Sequence, residues 1–171
     1  MEGQKTGFYL DQRENRQAAA RHLKSGRILD LFCYSGGFST AVAKNEDVRE
    51  VLGVDVSESA LRLAKGNVEL NDVASKVRFE KGDVFKWIET LPANGTKYDG
   101  IILDPPKMAR HKKSLPETLR AYHKLNRLAM ESLVPGGILV SCSCSGHVSQ
   151  ELFESTLADA AATAKRRVQI L

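Results

Sequence analysis

Residues 28–40, Ile-Leu-Asp-Leu-Phe-Cys-Tyr-Ser-Gly-Gly-Phe-Ser-Thr, leave few folds open to this chain. A short apolar, β-prone run meets a Ser-Gly-Gly turn and then a helix-compatible segment. This is how a buried parallel strand hands a ligand-binding loop to the start of a helix. The loop of Tyr34, Ser35, Gly36, Gly37 and Phe38 is therefore expected to hold a cofactor.

The kind of cofactor follows from the motifs this loop lacks. Its glycines are not spaced as G-x-G-x-x-G, and no Gly-Lys-Ser/Thr follows, so neither the dinucleotide nor the P-loop pattern is met. Asp30 sits within the strand instead, where a carboxylate would repel a phosphate and attract a sulfonium or an amino group. That charge favours S-adenosylmethionine over a nucleotide phosphate. A second apolar strand, Glu50 to Asp55, ends in a carboxylate nineteen residues after Gly36. This is close to the roughly 20 expected of an acidic residue that accepts from a ribose. Asp55 is the expected ribose ligand, with Val56 beside it.

At 171 residues and 42% hydrophobic, the chain can bury one good core, so a single domain over 1–171 is expected. The net charge of +4 permits a polyanionic partner and equally describes an ordinary solvated surface. The sequence has no apolar run of about 18 residues and no charged-then-apolar leader, so a cytoplasmic protein without a membrane span is expected. Cys33, Cys142 and Cys144 form an odd set with one i, i+2 pair, a poor disulfide framework that suits a reducing compartment. No metal is expected, because neither CxxC nor HxxxH spacing occurs.

Along the chain, Phe8 and Tyr9 either lie over the cofactor or form a hydrophobic staple for a helix that starts near Asp11 and reaches about Lys24. A helix from about Gly37 to Asn45 follows the loop, and Ser57 caps another carrying Leu61, Ala64 and Val68 at helical spacing. After a short strand, Lys76 to Glu80, comes Gly82-Asp83-Val84-Phe85. Here Asp83, beside Val84, either accepts from the exocyclic amine of adenine or caps the next helix. The strand Tyr98 to Leu103 ends in Asp104-Pro105-Pro106-Lys107, whose two prolines exclude helix and ladder and hold Asp104 at the sheet's edge. Lys107, Arg110, His111, Lys112 and Lys113 follow. An amphipathic helix then runs from about Pro116 to Leu133 with Arg120, Lys124 and Arg127, a clustering that points to RNA. Pro135-Gly136-Gly137 turns into a fifth strand, Ile138 to Cys142, expected to be central and buried on both faces. A last helix, about Val148 to Ala164, precedes Val168 to Leu171, which reads as a sixth strand. Strands alternating with helices imply a mostly parallel α/β sheet with helices on both faces.

Asp30 with Ser35-Gly36-Gly37, Asp55, Asp83, Asp104-Pro105-Pro106 and Ser143-Cys144-Ser145-Gly146 resemble the ordered motifs of class I S-adenosylmethionine-dependent methyltransferases. More narrowly, Gly7-Phe8-Tyr9-Leu10-Asp11-Gln12-Arg13, Leu31 to Phe38, Asp104-Pro105-Pro106-Lys107 and Ser143 to Gly146 resemble the bacterial family of large-subunit ribosomal RNA 5-methylcytosine methyltransferase I. The resemblance implies a Rossmann-like fold, S-adenosylmethionine as cofactor and ribosomal RNA as partner. It also implies that the chain is part of a longer protein, with C-terminal strands and N-terminal RNA-binding regions missing.

Carbon 5 of cytosine is a weak nucleophile unless a thiolate first adds at carbon 6. Cys144, just past the end of a strand, is expected to supply that thiolate, and Asp104 to hydrogen-bond the base. Asp104 and Pro105 also belong to the expected cofactor-binding set. Cys142 is expected to be a core filler, and Cys33 to pack near the cofactor without reacting.

Overall fold

The structure, a computed structural model, describes residues 12–109 and 111–171. Five strands form one sheet: β1 (Gly26–Leu31), β2 (Val48–Asp55), β3 (Val77–Lys81), β4 (Tyr98–Leu103) and β5 (Leu133–Ser141). Their order is β3-β2-β1-β4-β5 and every pairing is parallel. Among the described residues seven α-helices flank it: α1 (Arg13–His22), α2 (Gly37–Ala43), α3 (Glu58–Leu70), α4 (Val84–Trp87), α5 (Thr90–Ala93), α6 (Leu115–Glu131) and α7 (Gln150–Thr163). Strand order reverses between β1 and β4, so the crevice at their C-terminal ends is where an open α/β sheet takes its ligand.

The period of two along β1 assigns its side chains to opposite layers. Ile28 enters an apolar cluster with Phe38 and Val42 of α2 and Val68 of α3. Leu29 and Leu31 enter the other cluster, with Ile88 and with Leu125 and Leu128 of α6. Asp30 shares the parity of Ile28 and therefore meets α2, an acidic group placed by register within an apolar layer.

Three expectations change. Val168 to Leu171 form no strand; they run irregular and exposed after α7, because β propensity makes no ladder without a neighbouring strand. Among the described residues β5 is an edge strand, not a central one, and residues 138–142 are half-buried instead of enclosed on both faces. Pro135-Gly136-Gly137 lies inside β5 and does not precede it. Leu133 pairs with Tyr98 and Ile138 with Gly100, so residues 134–137 bulge out opposite Asp99 alone. Pro135 thus avoids a ladder position it could not fill, and Gly136 takes φ +77°.

Helix ends follow their caps. Ser57 accepts from Ala60 N over 3.3 Å and Ser149 from Leu152 N over 3.3 Å, so α3 and α7 begin where their serines stand. Asp11, the expected start of the first helix, and Phe8 and Tyr9 lie outside the described residues.

Candidate functional site

The loop after β1 is held in an unusual backbone. Phe32, Tyr34 and Gly36 have φ of 63°, 47° and 73°, a left-handed conformation that is rare for aromatic residues and persists only where surrounding bonds impose it. Phe32 N and Cys33 N donate to Val54 O, over 3.0 and 3.2 Å, and Gly36 N donates to Cys33 O over 2.8 Å. Tyr34 N donates to Asp55 Oδ2 over 2.9 Å, and Asn67 Nδ2 reaches Ser35 O over 2.9 Å. Gly36 has a second constraint, because a Cβ there would lie 2.9 Å from Phe79 Cζ and 3.1 Å from Ala64 Cβ. Gly36→Ala is expected to destabilise the protein by roughly 1–3 kcal/mol, combining left-handed strain with overpacking. A thermal midpoint equal to that of the unmodified chain would refute it.

The carboxylates converge on this loop. Asp30 is fully buried and its Oδ2 accepts from Ser39 N over 3.0 Å and Ser39 Oγ over 2.6 Å, fastening β1 to α2. Its Oδ1 is buried with no hydrogen-bond partner. Burial, first of all, raises its pKa to about 7; the Ser39 bonds oppose this, and the charges of Asp104 and Asp55 reinforce it. Asp55, at the end of β2, also accepts from Ser57 N through Oδ1 over 2.8 Å, so one carboxylate supports both the loop and the entry to α3. Val56 beside it is 66% exposed, an apolar surface open to a ligand.

Asp83 is exposed, and its Oδ1 accepts from Phe85 N over 3.1 Å. The capping role is thus present, at the head of α4, while Val84 beneath is buried. Sequence reasoning passed over Phe85, which meets Phe32 of the loop edge to face at 5.4 Å. The aromatic at 32 and the strand-end Phe-containing turn were visible signals. Ser39 was missed as well, although a hydroxyl two residues into a glycine-started helix is well placed to bond a strand-end acid.

Beyond β4, Asp104 is half-buried and its N donates to Leu31 O over 3.4 Å, joining the ends of the two strands at the switch point. Pro105 is buried, and its carbonyl accepts from Cys144 Sγ over 3.4 Å. Cys142 N donates to Leu103 O over 2.8 Å, which continues the β5 register to the turn that carries Cys144. The three thiols differ in setting. Cys144 is exposed, Cys142 is half-buried with a thiol pushed up to about 12, chiefly by burial, and Cys33 is buried with its thiol pushed up further by the same cause. Cys33 lies under the loop against Gly53, as its expected packing role requires.

Around the basic loop, Lys107, His111 and Lys113 are exposed, whereas Arg110 lies outside the described residues. On α6, Lys124 pairs with Glu89 and Arg127 with Glu131, so two of its three cations already have acidic partners. Among the described residues no His, Cys, Asp and Glu group suits a metal ion, and no helix is long and apolar enough to cross a membrane.

The residues present fit a cationic adenosyl cofactor. The charges of Asp55 and Asp104 lie near enough to act on Asp30, and one Asp30 oxygen is buried without a partner, a negative setting that suits a cation and not a phosphate. Comparison agrees. A family model described as S-adenosylmethionine-dependent methyltransferase matches residues 1–167. Relatives named ribosomal RNA large subunit methyltransferase I from Tolumonas auensis and Aeromonas hydrophila are 51% and 48% identical over 170 residues, 99% of this chain and 43% of theirs. The chain thus spans less than half the length of these curated relatives. Among solved structures, SMU.776 complexed with SAH aligns with TM-score 0.78 and 26% identity over 90% of this chain and 40% of that one. NSun6 from Pyrococcus horikoshii with SFG gives 0.70 and 26% over 86% and 40%. Sheet order, carboxylate placement and these matches agree, and the chain belongs to the S-adenosylmethionine-dependent methyltransferase family.

Proposed function

We propose that the chain methylates carbon 5 of a cytosine in large-subunit ribosomal RNA, through a transient covalent bond to Cys144. The observation that carries this reading is the seating of an exposed thiol on the segment after β4 that carries Asp104. Cys144 reaches the Pro105 carbonyl over 3.4 Å, directly beside Asp104, at the sheet's switch point. The names of the relatives support ribosomal RNA as the substrate class.

Asp30, Tyr34, Ser35, Gly36, Gly37, Phe38, Asp55, Val56, Asp83, Val84, Asp104 and Pro105 are the residues proposed to hold the cofactor. Bound S-adenosylmethionine supplies an electrophilic methyl group, its sulfur leaving as a neutral thioether. Cys144, as thiolate, forms a bond to carbon 6 of the base and pushes electron density onto carbon 5. Asp104 hydrogen-bonds the ring nitrogen and exocyclic amine, favouring the protonated base and so the addition. Once carbon 5 carries the methyl group and gives its proton to a base, the carbon–sulfur bond breaks and Cys144 returns as thiolate.

Incubation with labelled S-adenosylmethionine and large-subunit ribosomal RNA, followed by nucleoside analysis, tests the reading. Label in 5-methylcytidine is expected, and label confined to any other nucleoside would overturn it. The cofactor half is tested separately. Asp55→Ala is expected to weaken S-adenosylmethionine binding by roughly 1–3 kcal/mol, because a charge-assisted acceptor is lost and Tyr34 N is released with it. Unchanged affinity in a calorimetric titration would remove Asp55 from the site.

A further inference from the structure

We propose that Tyr122 is a positioning residue for the reactive turn, acting through Ser143 and Ser145 on Cys144. This rests on the Cys144 reading above and adds to it the group that holds the thiol in place. Tyr122 lies on α6, 1% exposed, with its ring packed edge to face on Phe153 of α7 at 5.2 Å. That packing leaves the hydroxyl, at the far end of the ring, as the group that meets the turn. It donates to Ser143 Oγ over 3.0 Å, and Ser145 N donates to the same oxygen over 3.4 Å. Ser145, 3% exposed, accepts from Ala109 N over 3.2 Å through its own hydroxyl.

Cys144 therefore stands between two serines that are tied to one buried phenol and to the segment after Asp104-Pro105-Pro106. A hydroxyl oxygen has two lone pairs, and those of Ser143 are taken by Tyr122 and Ser145. Burial pushes the phenol above its ordinary value, opposed by hydrogen bonding to Ser143 and Ser145 and reinforced by the nearby Cys144 and Asp104 charges, so it stays a donor throughout the neutral range. The network spans residues 109, 122, 143 and 145, and so joins the segment after β4, α6 and the turn after β5. It has the form of a fixed frame around one side chain, in which a displacement of about 1 Å costs a reaction up to about 10²-fold.

The test uses Tyr122→Phe, which keeps the ring and its contact with Phe153, together with Ser143→Ala and the double variant. RNA carrying 5-fluorocytidine at the target traps the cysteine adduct, and the rate of trapping is measured beside S-adenosylmethionine affinity. Each single change is expected to slow trapping about tenfold, and the double change to slow it no further, because both remove one shared interaction. Cofactor affinity is expected to stay within about twofold, which a general loss of structure would not allow. Trapping by Tyr122→Phe at the wild-type rate, or losses that multiply in the double variant, would overturn the assignment of Tyr122 while leaving Cys144 as nucleophile. Absence of trapping by the wild-type protein would overturn the Cys144 reading, and the role of Tyr122 with it.

Discussion

Cys144→Ala is expected to abolish 5-methylcytidine formation, by about 10³-fold or more, and to abolish covalent trapping of RNA bearing 5-fluorocytidine. Fluorine cannot leave carbon 5 as a cation, so the methylated base cannot eliminate the cysteine and the adduct persists. Cys142→Ala should trap RNA as the wild type does. The distinction is one of setting. A thiol pushed up to about 12 is ionised only to the order of 10⁻⁵ at pH 7, and Cys142 is half-buried besides. Cys33 is buried in the loop after β1, where burial raises its thiol further. Cys144 is the exposed thiol of the three and the one bonded to the Pro105 carbonyl beside Asp104. Gel-resolved adducts of the three single variants decide the matter. If Cys144→Ala still traps RNA, or still yields 5-methylcytidine, methylation proceeds by another route.

Asp30 should dominate the pH dependence of stability between about pH 4 and 7. Its pKa is raised from 3.8 to about 7 in the folded chain, so within that window the folded protein binds a proton that the unfolded chain has released. Stability is therefore complete below the unfolded value, falls as pH rises, and levels off above the folded value. Three units correspond to about 4 kcal/mol for this fully buried group. Asp30→Asn should flatten that slope. At pH 8 it should be at least as stable as the wild type, because the cost of ionising a buried acid outweighs the roughly 1–3 kcal/mol of a partnerless amide. The same change should weaken cofactor binding, and wild-type affinity should rise with pH over this window as the carboxylate becomes available to a cation. Thermal midpoints and titrations at pH 5, 6, 7 and 8 provide the check. An unaltered slope in Asp30→Asn would show that other groups carry it.

Strand ends were legible in the sequence because apolar runs closed by Asp55 and Asp104 constrain both register and polarity locally. The spacing from Gly36 singled out Asp55, yet said nothing of Tyr34 N and Ser57 N, which bond to its two oxygens. Hydrogen bonds formed across long separations leave no periodic trace, and for that reason Tyr122, 21 residues before Ser143, escaped notice. Asp83 had two local readings, and the capping bond to Phe85 N is the one a chain can form without any ligand. Burial was the least legible property. Ile138, Leu139 and Val140 are as apolar as a central strand requires, but enclosure depends on what lies beside β5, which no local pattern encodes. Residues 168–171 failed as a strand for the same reason.

The excursion of residues 134–137 opposite Asp99 bears on how this chain tolerates changes of length. A strand shifted by one residue presents every side chain to the other face, and in β5 that slip would carry through the Cys142–Leu103 hydrogen bond to the thiol two residues on. A residue gained or lost beside the exposed Pro135 and Gly136 is expected to be taken up in the bulge, since pairing resumes at Ile138 against Gly100. Insertions and deletions are therefore filtered by position. Those before Ile138 spare the aim of Cys144, and those between Ile138 and Ser143 turn it away from Pro105.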